Sequence, residues 1–348
     1  MNNKSFGLDI GASTIKVVEL AFDKSGYSLN ACIIVPTPPK GMLSESPVDE
    51  EEMAQALKKT VADAGINEKR INIALPENQV YTKVVEMPYL SDRELASAIY
   101  WEAEQYIPIP LANVSLAWSI IRKPVKPTSN EKMEVLMVGA PTIIVKKYQK
   151  IIEMAGFNIG SMETEILSTV RALTVNLANS AAIPAIIVSI GAVSTSLAIV
   201  AGTTLVFTYS MPIGGAAINR AISADFGLSH LQAEEYKRAY GISNGSIGQR
   251  IGKATEPIVS SILAEIKKAI VFYTQKYRDS RIEQIILSGG TAKLPGIGVY
   301  FAQNLGIETV TANPWKILSS SVSLPKEILD NGPDYSIAVG LALKDYVR

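Results

Sequence analysis

The chain has one cysteine, Cys32, and one histidine, His230, among its 348 residues. A single thiol excludes an internal disulfide and any cysteine-based zinc site, and it fits a reducing compartment. A single imidazole excludes a histidine-ligated metal centre. His230 sits in a polar helix start, Gly227-Leu228-Ser229-His230, which asks no chemistry of it. Neither sign of charge is in excess: 33 basic residues balance 33 acidic ones. That leaves no electrostatic footprint for nucleic acid and no basic run to hold an anionic membrane. Residues 1–5 carry no apolar signal core. Charge is missing altogether between Arg171 and Arg220, and 186–209 is long enough on paper to span a bilayer. Gly191-Ala192 and Ala201-Gly202 cut that run into pieces of strand length, so it reads as buried strands.

What the chain does have is 47% hydrophobic residues, enough for a large core divided into two lobes. Its most informative stretch is 6–20, two apolar β-branched runs around the small-residue turn Gly11-Ala12-Ser13-Thr14. Asp9 ends the first run and Lys16 follows the turn; core packing calls for neither. Gly11 admits a ligand close to the backbone, and the turn's N–H groups with the Ser13 and Thr14 hydroxyls can wrap an anion such as a triphosphate. Asp9 can hold the water shell of Mg²⁺, and Lys16 adds a point charge for phosphate. The same pattern is also that of an ordinary β-hairpin with a solvated Asp.

A third strand is expected over 27–35, a helix ending at Gly65 and a short strand over 71–75, giving a mixed sheet covered by a helix. Residues 80–156 read as a separate β-α-β-β-α module inserted into this first domain. Its helix begins with a capping box, Ser91 and Glu94. It is followed by Tyr106-Ile107-Pro108-Ile109-Pro110-Leu111, where alternate prolines remove backbone donors and leave apolar side chains facing outward, or merely shape a loop. A loop over 123–130 and a helix ending near 179 follow from composition. In the second half, Val188-Ser189-Ile190-Gly191-Ala192-Val193-Ser194-Thr195 echoes the form of Leu8–Thr14. Gly214 and Gly215 open a helix, a natural anion site. Helices are expected near 231–240 and 251–277, and a strand over 282–287 runs into Ser288-Gly289-Gly290-Thr291, where bare backbone can underlie a base or sugar. A helix over 336–346 closes the chain.

Three turn motifs in this order resemble the phosphate-1, phosphate-2 and adenosine motifs of the actin-like ATPase superfamily. With Gly7-Leu8-Asp9-Ile10-Gly11, the 104–111 run, Ala233-Glu234-Glu235-Tyr236-Lys237, Gly289-Gly290 and Tyr335–Ala342, nearly the whole chain resembles the PilM family of type IV pilus assembly proteins, related to the division protein FtsA. The resemblance implies an α/β, actin-like (ribonuclease H-like) two-lobed fold with an inserted α+β subdomain in place of the usual actin insertion. It divides the chain into first-lobe core at 1–79 and 157–180, inserted partner-binding subdomain at 80–156, second-lobe core at 181–228 and 281–335, helical subdomain at 229–280, and a C-terminal helix at 336–348 returning to the first lobe. It implies ATP with Mg²⁺ on Asp9, Gly11, Ser13, Thr14 and Lys16, opposed by Gly191, Ser194 and Thr195, with Gly214 and Gly215 nearby. Glu234 and Lys237 would approach the ribose, and Gly289, Gly290 and Thr291 the nucleoside. Glu165 lies where relatives orient the attacking water, or else stabilises a helix N-terminus.

One departure is Ser189, where the second phosphate motif usually begins with Asp. Losing one of two carboxylates should cost hydrolysis more than binding. The family also implies a partner, the cytoplasmic N-terminal peptide of a PilN-like inner-membrane protein, expected on Tyr106, Ile107, Pro108, Ile109 and Leu111 in a groove between module and first domain. The protein would be cytoplasmic and reach the membrane through that partner, since the sequence stops at Asp345-Tyr346-Val347-Arg348 without the amphipathic tail of FtsA-like proteins. A division protein is the alternative, and a small-molecule kinase of the same superfold a lesser one. A dinucleotide-binding Rossmann domain is disfavoured, because the glycines lie between two strands and not before a helix.

Overall fold

The computed structural model describes residues 4–124, 131–175 and 183–347. Most of the loop expected over 123–130 and the helix end expected near 179 lie outside the described residues. In chain order, β1 (Phe6–Ile10), β2 (Thr14–Asp23), β3 (Gly26–Pro36), α1 (Pro47–Asp63) and β4 (Arg70–Leu75) come first. Then follow β5 (Tyr81–Pro88), α2 (Asp92–Tyr106), β6 (Val114–Arg122), β7 (Lys132–Pro141), α3 (Thr142–Met154), β8 (Asn158–Thr164) and α4 (Glu165–Thr174). The second half runs β9 (Pro184–Ile190), β10 (Thr195–Ala201), β11 (Thr204–Met211), α5 (Gly215–Phe226), α6 (His230–Tyr240) and α7 (Ser246–Lys276). It ends with β12 (Gln284–Ser288), α8 (Ile297–Leu305), β13 (Glu308–Thr311), α9 (Lys326–Asp330) and α10 (Gly332–Ala342).

Two five-stranded sheets share one design. The orders β3-β2-β1-β4-β8 and β11-β10-β9-β12-β13 each carry an antiparallel meander followed by two parallel crossovers. The echo between 8–14 and 188–195 is therefore the trace of two lobes with one topology. The apolar run over 186–209 is three strands, and among the described residues no helix is long and apolar enough to cross a membrane.

Alternation assigns the faces of β1. Phe6, Leu8 and Ile10 pack with Met53 and Leu57 of α1 on one side. Gly7 faces α10 on the other, where a Cβ would overlap the Ala338 carbonyl oxygen. Gly340 makes the reciprocal approach, touching α4 where a Cβ would overlap the Ser168 carbonyl. Two bare positions thus let a C-terminal helix lie flat on the first strand of the chain.

Three boundaries depart from the sequence reading. Helix α3, expected inside the 80–156 module, packs its Tyr148, Ile151 and Ile152 on the first-lobe core, and Lys150 pairs with Glu50 of α1 at 2.6 Å. The module proper is the sheet β5-β7-β6 with α2 across one face. Helix α10 starts at Gly332, not 336, because Pro333 in its first turn needs no donor there. Helix α7 starts at Ser246, five residues before the expected 251, and runs through Pro257. The module's second face brings Leu136 against Ile187, Ala198 and Leu205, so it touches the second lobe as well as the first.

Candidate functional site

Both hairpin turns close in the same way. The Gly11 N–H donates to the Thr14 carbonyl at 3.1 Å, and the Gly191 N–H to the Ser194 carbonyl at 2.9 Å. Those two donors are consumed within their turns and do not wrap a ligand. Thr37, which the sequence reading passed over, pins the first turn from outside: its hydroxyl donates to the Gly11 carbonyl at 2.7 Å and its N–H to the Ser13 carbonyl at 3.0 Å. Ser13 is left exposed and Thr14 half-buried.

Asp9 and Lys16 are in register across β1 and β2, and their side chains pair at 2.9 Å. The ammonium also stands over the turn, 3.1 Å from where a Gly11 Cβ would lie. Burial opposes the charge of Lys16, yet Asp9, Asp334 and Glu165 outweigh it and raise its pKa. Lys16 is therefore charged, and Asp9 is the acid that holds it.

The matching positions of the second lobe are neutral. Ser189 stands where Asp9 does and Ser196 where Lys16 does, paired across β9 and β10. The row continues: Ser196 is in register with Ser210 on β11, and Ser189 with Ser288 on β12. Four serines thus cross four adjacent strands on one face, the one that Ile187 and Ala198 turn toward the first lobe. The Ser210 hydroxyl is buried and has no hydrogen-bond partner among the described residues.

Thr195 is a correction. Its hydroxyl donates to the Ile213 carbonyl at 2.6 Å and its side chain is fully buried, so it holds the loop after β11 and does not face a ligand. Gly214 and Gly215 also serve packing first. The Gly215 and Ala216 N–H groups donate to the Gly191 and Ala192 carbonyls at 2.9 and 2.8 Å, and a Cβ on Gly214 would lie 2.7 Å from Gly191 O. The start of α5 is bolted to the second turn, which uses the donors that an anion would need.

The third turn packs on the second. Gly289 has φ +79° and packs against the Ile190 backbone just before the Gly191 turn. Its N–H donates to the Pro333 carbonyl at 3.0 Å. Beside it, a Gly290 Cβ would lie 3.0 Å from Asp334 Oδ1, and Asp334 is ion-paired with Lys293. Helix α10 packs on β1 and β2 as well as on this turn, and the charge of Asp334 favours the ammonium of Lys16. Thr291 is buried against Gly215. On α6, Glu234 pairs with Lys237 at 2.6 Å and Arg238 at 2.8 Å and accepts from Asn219 at 2.5 Å. Burial opposes its charge, but these donors pull its pKa down to about 2.

Glu165 heads α4 at the end of β8, next to β4 in the sheet. Burial, then the charges of Asp9 and Glu77, push its carboxyl up to about 8. It is cross-tied to Glu77: the Glu77 N–H donates to Glu165 at 3.2 Å, and the Ile166 N–H donates to Glu77 at 3.3 Å. Glu77, itself raised by burial, was not singled out in the sequence, and neither were Asp334 and Lys293. Their signals were thin: an acid after Pro76 at a strand end, an acid after a helix-opening Pro333, and a lysine three residues past a double glycine.

In the Pro-interrupted segment, Tyr106 is 39% exposed, donates to the Thr82 carbonyl at 3.5 Å and lies 4.6 Å from the Lys83 ammonium. Pro108 is exposed, and Ile109 and Leu111 are half-buried. Ile107 is the exception to outward-facing side chains: only 4% exposed, it plugs the module core against Gly139. On the first lobe, Ile143 and Lys147 share one face of α3, and Lys147 donates to the Ser44 carbonyl at 2.5 Å. That leaves Leu43 and Ile143 as exposed apolar groups on the rim of the first lobe.

Comparison with known proteins then adds the family. The model of the family described as type IV pilus assembly protein PilM matches residues 7–346. A solved structure titled PilM-PilN type IV pilus biogenesis complex is 27% identical, covers 100% of both chains and superposes with a TM-score of 0.87. The cell division protein FtsA of Streptococcus pneumoniae is 26% identical over 84% of this chain and 71% of its own length. Ethanolamine utilization protein EutJ from Carboxydothermus hydrogenoformans, at 16% identity, a TM-score of 0.56 and coverage of 97% of this chain and 89% of its own, shares the fold.

Proposed function

The chain belongs to the type IV pilus assembly protein PilM family, and from that premise we propose that it is a cytoplasmic, ATP-binding scaffold of a type IV pilus, secretion or competence machine. Its partner is the cytoplasmic N-terminal peptide of a PilN-like inner-membrane protein, through which it reaches the membrane. The observation that carries the nucleotide reading is that α10 packs both on the hairpin strands β1 and β2 that hold the Asp9–Lys16 pair and on the Gly289-Gly290 turn, which itself packs on the Gly191 turn.

The residues suit ATP with Mg²⁺. A bound Mg²⁺ would offset the charge of the phosphates. Asp9 is the buried carboxylate available to its water shell, Lys16 stands over the first turn, and within that turn Ser13 is exposed and Thr14 half-buried. Gly191 and Ser194 offer the facing turn, Gly290 a bare surface for the nucleoside, and Glu234 and Lys237 an ordered polar pair on the sugar side. Hydrolysis is slow, because the second lobe answers Asp9 with Ser189 and because Glu165 holds a proton near neutrality. Calorimetry should detect Mg·ATP binding while phosphate release stays near background. Brisk turnover would overturn the scaffold reading.

The peptide reading rests on the apolar groups left at the module's surface, Tyr106, Pro108, Ile109 and Leu111, with Leu43 and Ile143 as further exposed apolar groups on the first lobe. An extended apolar peptide fits such a surface by backbone pairing with alternate side chains in pockets. Loss of peptide affinity in Tyr106→Ala and Ile109→Ser would support it; unchanged affinity in both would move the dock elsewhere.

A further inference from the structure

Helix α7 has 31 residues and is about 46 Å long. Its body packs against α5, whose first N–H groups are bolted to the Gly191 turn. Its last turn reaches the inserted module. There Lys276 Nζ lies 2.5 Å from Glu86 on β5 and 3.1 Å from Glu134 on β7, and the Tyr277 hydroxyl donates to Glu134 at 3.2 Å.

Those two acids are not placed for the module's own benefit. Glu86 and Glu134 are directly opposite one another across β5 and β7, and like charges in that relation destabilise a sheet. Glu134 is buried, which sharpens the repulsion. The module's own cations, Arg122 at 3.4 Å from Glu134 and Lys132 at 3.6 Å from Glu86, are largely solvated. Lys276, the least exposed of the three cations, comes from the other lobe and touches both acids. Burial works against its charge, yet the acids and Tyr277 hold it well above the usual lysine range. The seam beside this contact, where β11 runs along β5, carries the buried hydroxyls of Thr208 and Ser210, which have no hydrogen-bond partner among the described residues. Parting the seam would hydrate these two hydroxyls, while parting Lys276 from the acids leaves buried Glu134 opposed to Glu86 with only solvated cations beside them.

We propose that the Lys276–Glu86–Glu134 contact is the coupling point between nucleotide and peptide: closure around Mg·ATP at the Gly191 turn is carried by α5 and α7 to Lys276, which sets the position of the peptide-binding module. The proposal rests on the nucleotide and peptide readings above. Its physical form is a two-state contact biased from both sites, so the coupling is reciprocal.

The test is a thermodynamic cycle on the full chain, titrating Mg·ATP with and without a saturating synthetic peptide of the partner's cytoplasmic N-terminus. The wild type should bind ATP about fivefold or more tightly when the peptide is present, the low end of usual coupling strengths. Lys276→Met should keep each separate affinity within about twofold while the coupling drops below about twofold, and Lys276→Arg should restore it. If Lys276→Met folds poorly, Glu86→Gln, which removes the like-charge pair at a partly exposed site, should weaken the coupling in the same way. A wild type that binds both ligands without coupling, or a Lys276→Met protein that retains it, overturns the proposal. A wild type that fails to bind one ligand at all overturns instead the reading beneath it.

Discussion

Ser189 faces Ser196 across β9 and β10 at the position where the first sheet sets Asp9 against Lys16. The two lobes share a topology but not a charge pair, so whatever lies between them meets one ionic wall and one hydroxyl wall.

The first prediction concerns that asymmetry. Ser189→Asp alone places a carboxylate among hydroxyls with no cation in register, and it should lower stability by about 1–3 kcal/mol. It should also raise phosphate release modestly. The double change Ser189→Asp/Ser196→Lys rebuilds the pair of the first lobe and should recover most of the lost stability. Denaturant melts and a phosphate-release assay on both proteins check this.

The second follows from Glu165. Its folded-state pKa of about 8 lies above its ordinary value of 4.5, so the folded protein binds more protons than the unfolded chain between those limits. Stability contributed by this group is therefore full below about pH 4.5 and is lost as pH rises toward 8. Glu77, also raised, acts in the same direction. In Glu165→Gln the fall in melting temperature between pH 6 and pH 8 should become shallower; an unchanged slope would count against this assignment.

The third separates surface from core in the Pro-interrupted segment. Ile107→Asp should destabilise the module by about 3 kcal/mol or more, because it buries an unpaired charge against Gly139. Tyr106→Ala should cost less than about 1 kcal/mol. Melting curves therefore show which variant is a fair probe of peptide binding.

The fourth tests the seat of α10. Gly340→Ala sets a methyl group into the Ser168 carbonyl and should cost about 3 kcal/mol or prevent folding. Gly298→Ala, which meets nothing within 4 Å, should leave the melting temperature nearly unchanged.

The strands, their hairpin turns and the doubled topology were legible because alternation and small-residue turns are local signals. Asp9 stood out because an acid at the end of an apolar run has no packing role, whereas Glu165 was singled out only by the family resemblance. What escaped was tertiary. Nothing near 142–154 announces that α3 joins the core of α1; its apolar stripe suits either neighbour, and Tyr148, Ile151 and Ile152 pack on the first-lobe core. Thr195 resembles a ligand hydroxyl in sequence and is spent on Ile213. Ile107 sits between exposed residues but points inward, where it meets the bare Gly139 beside Val114. Asp334 and Glu77 gain their place from crossings hundreds and tens of residues long, which no spacing rule encodes.

Strand β1 is made within the first ten residues, yet the helix that covers one of its faces is not available until residues 332–342. On the ribosome, the nascent first lobe must wait with Gly7 and its neighbours uncovered until residues 332–342 have emerged. Translation that aborts before α10 should yield fragments that cannot bury this strand and are handed to chaperones or proteases.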